Sequence, residues 1–155
     1  MNFKIQYANE NEISSINKTL NKQFGIKKID GKLIRAGEER IRIFTGELSE
    51  NELINIQKFI RIEGIGLYIA KEERGEIRLS IEGSQILGGQ STKNTYELKD
   101  NQVQQWMEGA DIMQKNDEKR WVIIKNKDDF LGSGRMSAEK ISNHIPKPRR
   151  LKIKE

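Results

Sequence analysis

The chain has one histidine, His144, and no cysteine. Lack of thiols removes disulfides, thiolate catalysis and Cys-ligated zinc together. A lone imidazole needs a nucleophile and an orienting carboxylate, or further metal ligands, and no spacing in the chain supplies either. His144 therefore reads as a polar surface or nucleic-acid-facing residue. Asp128 and Asp129 could hold a metal or pass a proton, but neighbours on a strand point to opposite faces. Their place between two apolar runs fits turn chemistry better, each carboxylate accepting nearby backbone N–H bonds. Gly64-x-Gly66 lacks a third glycine and leads into a strand, where a dinucleotide fingerprint needs a helix. Gly132-x-Gly134 also follows a strand without opening a helix, which fits a bulge or a close backbone approach. Trp106 and Trp121 could stack on bases, but both read first as packing residues. No nucleophile–base pair or metal cluster survives, so the expectation is a protein that is not an enzyme and has no cofactor and no metal.

The chemistry that remains is electrostatic. The chain has 28 Lys and Arg against 23 Asp and Glu, a net charge of +5. The last sixteen residues hold Lys140, Lys147, Arg149, Arg150, Lys152 and Lys154 against Glu155 alone, which leaves residues 1–139 balanced at 22 and 22. An even body with a basic terminus presents cations to a polyanion. Pro146 and Pro148 stiffen the approach, and Ile145 and Leu151 are expected to anchor it. The Arg149 and Arg150 forks suit phosphate oxygens better than a lysine point charge does.

The elements that must position this end can be read in chain order. Phe3, Ile5 and Tyr7 alternate with polar residues, as in a half-buried strand over 2–7. Asn9 and Glu12 have capping-box spacing, and Ile13, Ile16, Leu20 and Phe24 form one helical face stopped by Gly25. Extended segments are expected near Lys27–Ile29 and Leu33–Arg35, with Asp30-Gly31 as a hairpin turn between them. Ile41 and Ile43 face one way on the next strand, Arg40 and Arg42 the other. Ser49 and Glu52 open a second helix through Ile60, with Leu53, Ile56, Phe59 and Ile60 inward. Leu67 and Ile69 pair with Ile77, Leu79 and Ile81 across a turn at Glu72–Gly75, and Ser80–Leu87 makes a short helical turn. Gly88–Thr92 is the expected boundary. Interleaved helices and hairpins make residues 1–88 an antiparallel α/β domain.

Beyond the boundary the pattern changes. Thr95–Leu98 reads as a strand, Asp100 as a helix N-cap, and Val103, Trp106 and Met107 as the face of a short helix ending at Gly109. Ala110–Met113 is a strand, and Trp121–Ile124 is a strand covered on both faces. Phe130-Leu131 begins another, interrupted at Gly132-Ser133-Gly134, and Ile141–Ile145 a last one stopped by Pro146. Five short strands with one helix imply a compact β-barrel over 89–155. The fold class is therefore α+β. No stretch approaches the roughly twenty apolar residues of a membrane span, and the start lacks a signal peptide's apolar run, so a cytoplasmic protein without membrane contact is expected.

The run W-V-I-I-K-N-K-D-D-F-L-G-S-G-R-M, within a span of about Ser91 to Leu151, resembles a PUA domain, the RNA-binding pseudobarrel of pseudouridine synthases and archaeosine transglycosylases. The two-part layout is similar to the small ribosome-assembly factors of the NIP type, which act in large-subunit rRNA maturation. The resemblance implies an RNA-binding protein acting on rRNA in ribosome biogenesis, with tRNA as the other RNA candidate. The expected cations are Arg135, Lys140, Lys147, Arg149, Arg150 and Lys152, and the resemblance places a turn at Gly132 and Gly134 near the RNA groove. The near-neutral first domain is left for ribosome-assembly or RNA-modification proteins, or for RNA through Arg40 and Arg42. Two rival readings stand beside this one: an accessory RNA-binding subunit of a separate modifying enzyme, and an interaction module whose basic tail meets an acidic protein.

Overall fold

Two five-stranded sheets divide the chain in the computed structural model, which describes residues 5–153. Phe3, Lys154 and Glu155 lie outside the described residues. The first sheet holds β1 (Ile5–Tyr7), β2 (Lys32–Ala36), β3 (Arg40–Phe44), β4 (Leu67–Glu73) and β5 (Glu76–Leu79), all antiparallel and in sequence order. Helix α1 (Glu10–Phe24) follows β1, and α2 (Glu50–Gln57) lies between β3 and β4.

Both helices begin with the expected capping boxes. Glu12 N–H donates to Asn9 Oδ1 at 2.8 Å, and Ser49 N–H donates to Glu52 Oε2 at 2.7 Å. Each box satisfies two of the N–H groups that a helix start leaves unpaired. Gly25 ends α1 at φ 73°, a left-handed conformation that a side chain would strain. The alternation in the sheet then decides its two cores. Leu33, Ile41, Ile43, Ile69 and Ile77 pack under Ile16, Leu20 and Phe24 of α1, while Ile5, Ile34 and Leu53 pack elsewhere with Tyr7 and Phe44.

Three expectations for this half need correction. No strand covers residues 27–29 and Asp30-Gly31 is not a hairpin turn; the hairpin joins β2 to β3 through Gly37–Glu39. Ile26 drives that difference, because it is buried and pulls the segment in as irregular chain. Helix α2 stops at Gln57, so Phe59 and Ile60 are not part of an inward stripe and lie 87% and 60% exposed.

Helix α3 (Ile81–Leu87) joins the halves. Ser80 caps it, its Oγ accepting from Gly83 N–H at 2.9 Å. A side chain at Gly83 would strike the Ile69 carbonyl, so α3 lies tightly on β4. The Gly88–Thr92 stretch is stitched down on the first half. Gln90 bonds the backbone of Lys27 and Lys28, and Thr92 N–H donates to the Phe24 carbonyl at 2.8 Å.

The second sheet has the order β6 (Thr95–Glu97), β8 (Arg120–Asn126), β9 (Asp129–Met136), β10 (Lys140–Asn143) and β7 (Ile112–Met113). It is curled into a half-barrel around Val122, Ile124, Met136, Ile141 and Trp106, the last from helix α4 (Asp100–Met107). Lys99 takes the N-cap position expected for Asp100, a shift of one residue. Strand β8 is covered on both faces as expected: Ile123 joins the first half's core, and Val122 and Ile124 join the barrel's. Strand β9 is not interrupted at its glycines. Instead the β8–β9 register shifts between Ile123 and Lys125, a bulge at which Gly132 has φ 91°. The architecture is α+β, as the sequence predicts. No described helix is long and apolar enough to cross a membrane.

Candidate nucleic-acid interface

Where the two sheets meet, three side chains converge on the Trp121 ring. Arg78 comes from β5 and Arg135 from β9, and their guanidinium carbons lie 5.6 and 5.3 Å from the ring centroid. Both distances fall within cation–π range. His144, just past β10, meets the ring edge-on at 4.7 Å between centroids and 67° between planes. Arg78 Nη1 donates to His144 Nδ1 at 3.0 Å, which requires the imidazole proton on Nε2. Burial and then the adjacent Arg78 charge push the His144 pKa below its ordinary value, with Asp111 pulling weakly the other way.

The folding reasons are local. Arg78 alternates with buried Ile77 and Leu79, so its side chain must leave the first core. Trp121 and Arg135 are register partners across β8 and β9, which places indole and guanidinium side by side. Trp121 is half-buried: it packs against the first core, as expected, and its remaining face is the platform for these cations. Trp106 is fully buried, its Nε1–H donating to the Leu131 carbonyl at 2.9 Å. That geometry excludes Trp106 from stacking on any ligand.

The six cations expected from the sequence divide by environment. Arg135 joins the seam but also binds Glu76, Nη1 to Oε2 at 3.0 Å. Arg149 reaches the seam from a 3₁₀ turn at Lys147–Arg149 and pairs with Glu82 of α3 at 2.5 Å. Lys147 is exposed on the same turn, and Lys152 is exposed beyond it. Neither Lys147 nor Arg78 has a carboxylate partner among the described ion pairs, whereas Arg135 and Arg149 are already half answered. Lys140 belongs to another network: its Nζ lies 2.7 Å from Asp111 Oδ2, whose other oxygen accepts from Asn143 N–H. The Lys140 bond first, then the Asn143 N–H, hold the Asp111 carboxyl below the usual carboxylate range. Arg150 is a clamp, its Nε donating to the Ile145 carbonyl at 2.9 Å while its side chain packs on Gly109. Ile145 anchors the tail as expected, but Leu151 does so only through its backbone, with N–H donating to the Met107 carbonyl.

Gly132 and Gly134 do not form a turn. Both are buried within β9, and the hairpin turn lies at Lys127-Asp128. Gly132 N–H donates to Ser84 Oγ at 2.9 Å, and a Cβ on Gly134 would sit 2.4 Å from Ile141. Close approach explains Gly134, whereas Gly132 is explained by its φ of 91° at the bulge, where a side chain would be strained. Arg42 is also structural, holding the Ile65 and Gly66 carbonyls at 2.8 and 2.7 Å, while Arg40 lies over Tyr68.

Beside Trp121 the seam holds a crevice of about 60 Å³, lined among others by Arg78, Glu82, Ser133, His144 and Arg149. The sequence reading missed Arg78, Glu76, Glu82 and Ser133. The outward alternation of Arg78 was a usable signal; the docking of the two sheets that brings it to Trp121 was not.

This half-barrel, with its buried glycine strand and its cations at one edge, is what the comparison addresses. Residues 93–151 match the family model of the methyltransferase RsmF PUA domain. The C-terminal part is thus similar to a PUA domain, and RNA binding is what such a domain suggests. No curated protein matches the chain. The matched span contributes Trp121, Arg135, His144 and Arg149 to the seam, and the N-terminal half adds Arg78, Glu76 and Glu82.

Proposed function

We propose that this protein binds structured RNA without catalysing a reaction, and that it acts on rRNA during ribosome assembly. The observation that carries the reading is the coincidence of the PUA match with the cationic seam around Trp121. Phosphates would lie along Arg78, Arg135, Lys147 and Arg149, with Lys152 at the edge. Arginine forks fixed against an indole lose little freedom on meeting an oxyanion, which favours shape and backbone recognition over base reading. RNA must compete with Glu76 and Glu82 for two of these arginines, so the free protein holds a partly neutralised site.

Neutralising about five phosphates predicts a fall in affinity on the order of a hundredfold between 50 and 200 mM salt. Titration of labelled rRNA fragments against the protein and an Arg78→Ala/Arg149→Ala variant tests this. The variant should bind more weakly with a shallower salt slope and unfold at a similar temperature. Unchanged binding in the variant would overturn the assignment.

A second reading has one observation of its own. The matching family model describes a domain of a methyltransferase, which favours an accessory RNA-binding subunit that serves a separate modifying enzyme on tRNA or rRNA. Exposed Phe59 and Ile60 on the N-terminal half support a protein partner in either reading. Copurification with a modifying enzyme selects the second; copurification with pre-ribosomal RNA alone selects the first.

A further inference from the structure

The seam crevice contains a polar group with nothing to bond. Ser133 sits in the bulged part of β9, only 3% exposed, and its Oγ has no hydrogen-bond partner. Buried hydroxyls are nearly always paired, because leaving one unsatisfied is costly. Its neighbours on β9 do not share the problem: Gly132 N–H has Ser84 Oγ, and Ser84 in turn donates to the Ile81 carbonyl at 2.6 Å. Ser133 lines the same crevice as Glu82, His144 and Arg149.

The size and the charges of the crevice select its occupant. About 60 Å³ has room for a hydroxyl-sized group but not for a base. A phosphate oxygen entering there would meet the Glu82 carboxylate. A neutral hydroxyl meets no repulsion and can donate to Glu82 or to Ser133 Oγ while accepting from the other donors around it. The cations that would hold a phosphate backbone, Arg78 and Arg149, line the same opening. A backbone held by them brings a sugar edge, not a base edge, to the crevice.

We infer that the Ser133 crevice receives a ribose 2′-hydroxyl and so makes the protein select RNA over DNA. This rests on the RNA-binding reading and adds the chemical group by which the RNA is recognised. The 2′-hydroxyl, both donor and acceptor, is the group on which a protein can distinguish the two nucleic acids.

The test uses the full chain and one RNA hairpin in three forms: unmodified, 2′-fluoro and 2′-O-methyl. All three keep A-form geometry, so shape stays constant while the hydroxyl is lost or enlarged. Wild type should bind the 2′-fluoro form roughly five- to tenfold more weakly than the hydroxyl form, the loss of one hydrogen bond to a buried partner. The 2′-O-methyl form should also bind more weakly than the hydroxyl form, because its oxygen can no longer donate. Ser133→Ala should bind the hydroxyl and fluoro forms equally while keeping the wild-type salt slope. Equal wild-type affinity for the hydroxyl and fluoro forms overturns this inference and leaves RNA binding standing. So does unchanged discrimination in Ser133→Ala, which would mean that the serine is satisfied by solvent. Failure to bind any of the three forms overturns the RNA reading itself, and this inference with it.

Discussion

Trp106 and Trp121 stand fifteen positions apart in one small domain, yet they do opposite work. Trp106 is sealed inside the half-barrel, with its single donor bonded to the Leu131 carbonyl. Trp121 faces the seam, where it has two guanidinium groups and an imidazole as neighbours. The difference comes from what covers each strand or helix face. Helix α4 has only the barrel to pack against, whereas β8 is shared between two cores and Trp121 falls at its margin. A large aromatic in a core contributes area; at a margin it contributes a surface that holds cations in place.

Substitution should separate the two roles. Trp106→Ala opens a cavity the size of an indole and orphans the Leu131 carbonyl, so the folded state should lose about 3–5 kcal/mol. That would be read as a large drop in melting temperature, with RNA affinity nearly unchanged for the fraction still folded. Trp121→Ala should do the reverse. Its half-buried ring costs less to remove, but Arg78 and Arg135 lose their support, and RNA affinity should fall about tenfold. If Trp121→Ala destabilised as much as Trp106→Ala and left RNA binding intact, the distinction drawn here would collapse.

The carboxylates of the seam sharpen the comparison further. Glu76 binds Arg135 in the free protein, and RNA must replace it. Exposed pairs of this kind are worth little to the fold, so Glu76→Gln should leave stability within about 0.5 kcal/mol. RNA affinity should rise roughly two- to fivefold at moderate salt, because a negative charge leaves the path of the phosphates. A fall in affinity would mean that Glu76 positions Arg135 for RNA and does not compete with it.

The limits of sequence reading follow the same line between interior and seam. Local rules gave both capping boxes, the Gly25 stop, the hairpin expected at Glu72–Gly75, which turns at Arg74-Gly75, and the strand expected at Trp121–Ile124, since each depends on residues a few positions apart. The basic end was visible as composition, but composition does not show pairing. Arg149 meets Glu82, and Arg135 meets Glu76, across the junction of two sheets, and neither pair has a sequence spacing to betray it. Arg150 could not be told from Arg149 by type, yet one is a backbone clamp and the other a seam cation. Ile60 and Phe59 failed for a related reason: a helical stripe predicts burial only while the helix lasts, and α2 ends at Gln57.

The smallest effect concerns His144, the seam's imidazole. Its folded pKa lies below the ordinary 6.5 because burial and Arg78 disfavour the cation. Between those two pKa values the unfolded chain holds a proton that the folded chain lacks, so stability falls as pH drops from about 6.5 and levels off below the folded pKa. Asp111, whose carboxyl is depressed, loses its contribution only at lower pH, below the ordinary 3.8, which keeps the two windows apart. His144→Gln should flatten the upper window alone in a series of melts. RNA reverses the sign for binding. A protonated imidazole no longer accepts from Arg78, and it adds a cation beside the phosphates, so affinity should rise modestly as pH falls through the folded His144 pKa, below 6.5. His144 touches Trp121 and Trp106 is sealed in the barrel core, so Trp121 should report this change in its fluorescence. A pH-independent affinity that His144→Gln leaves untouched would place the imidazole outside the RNA path.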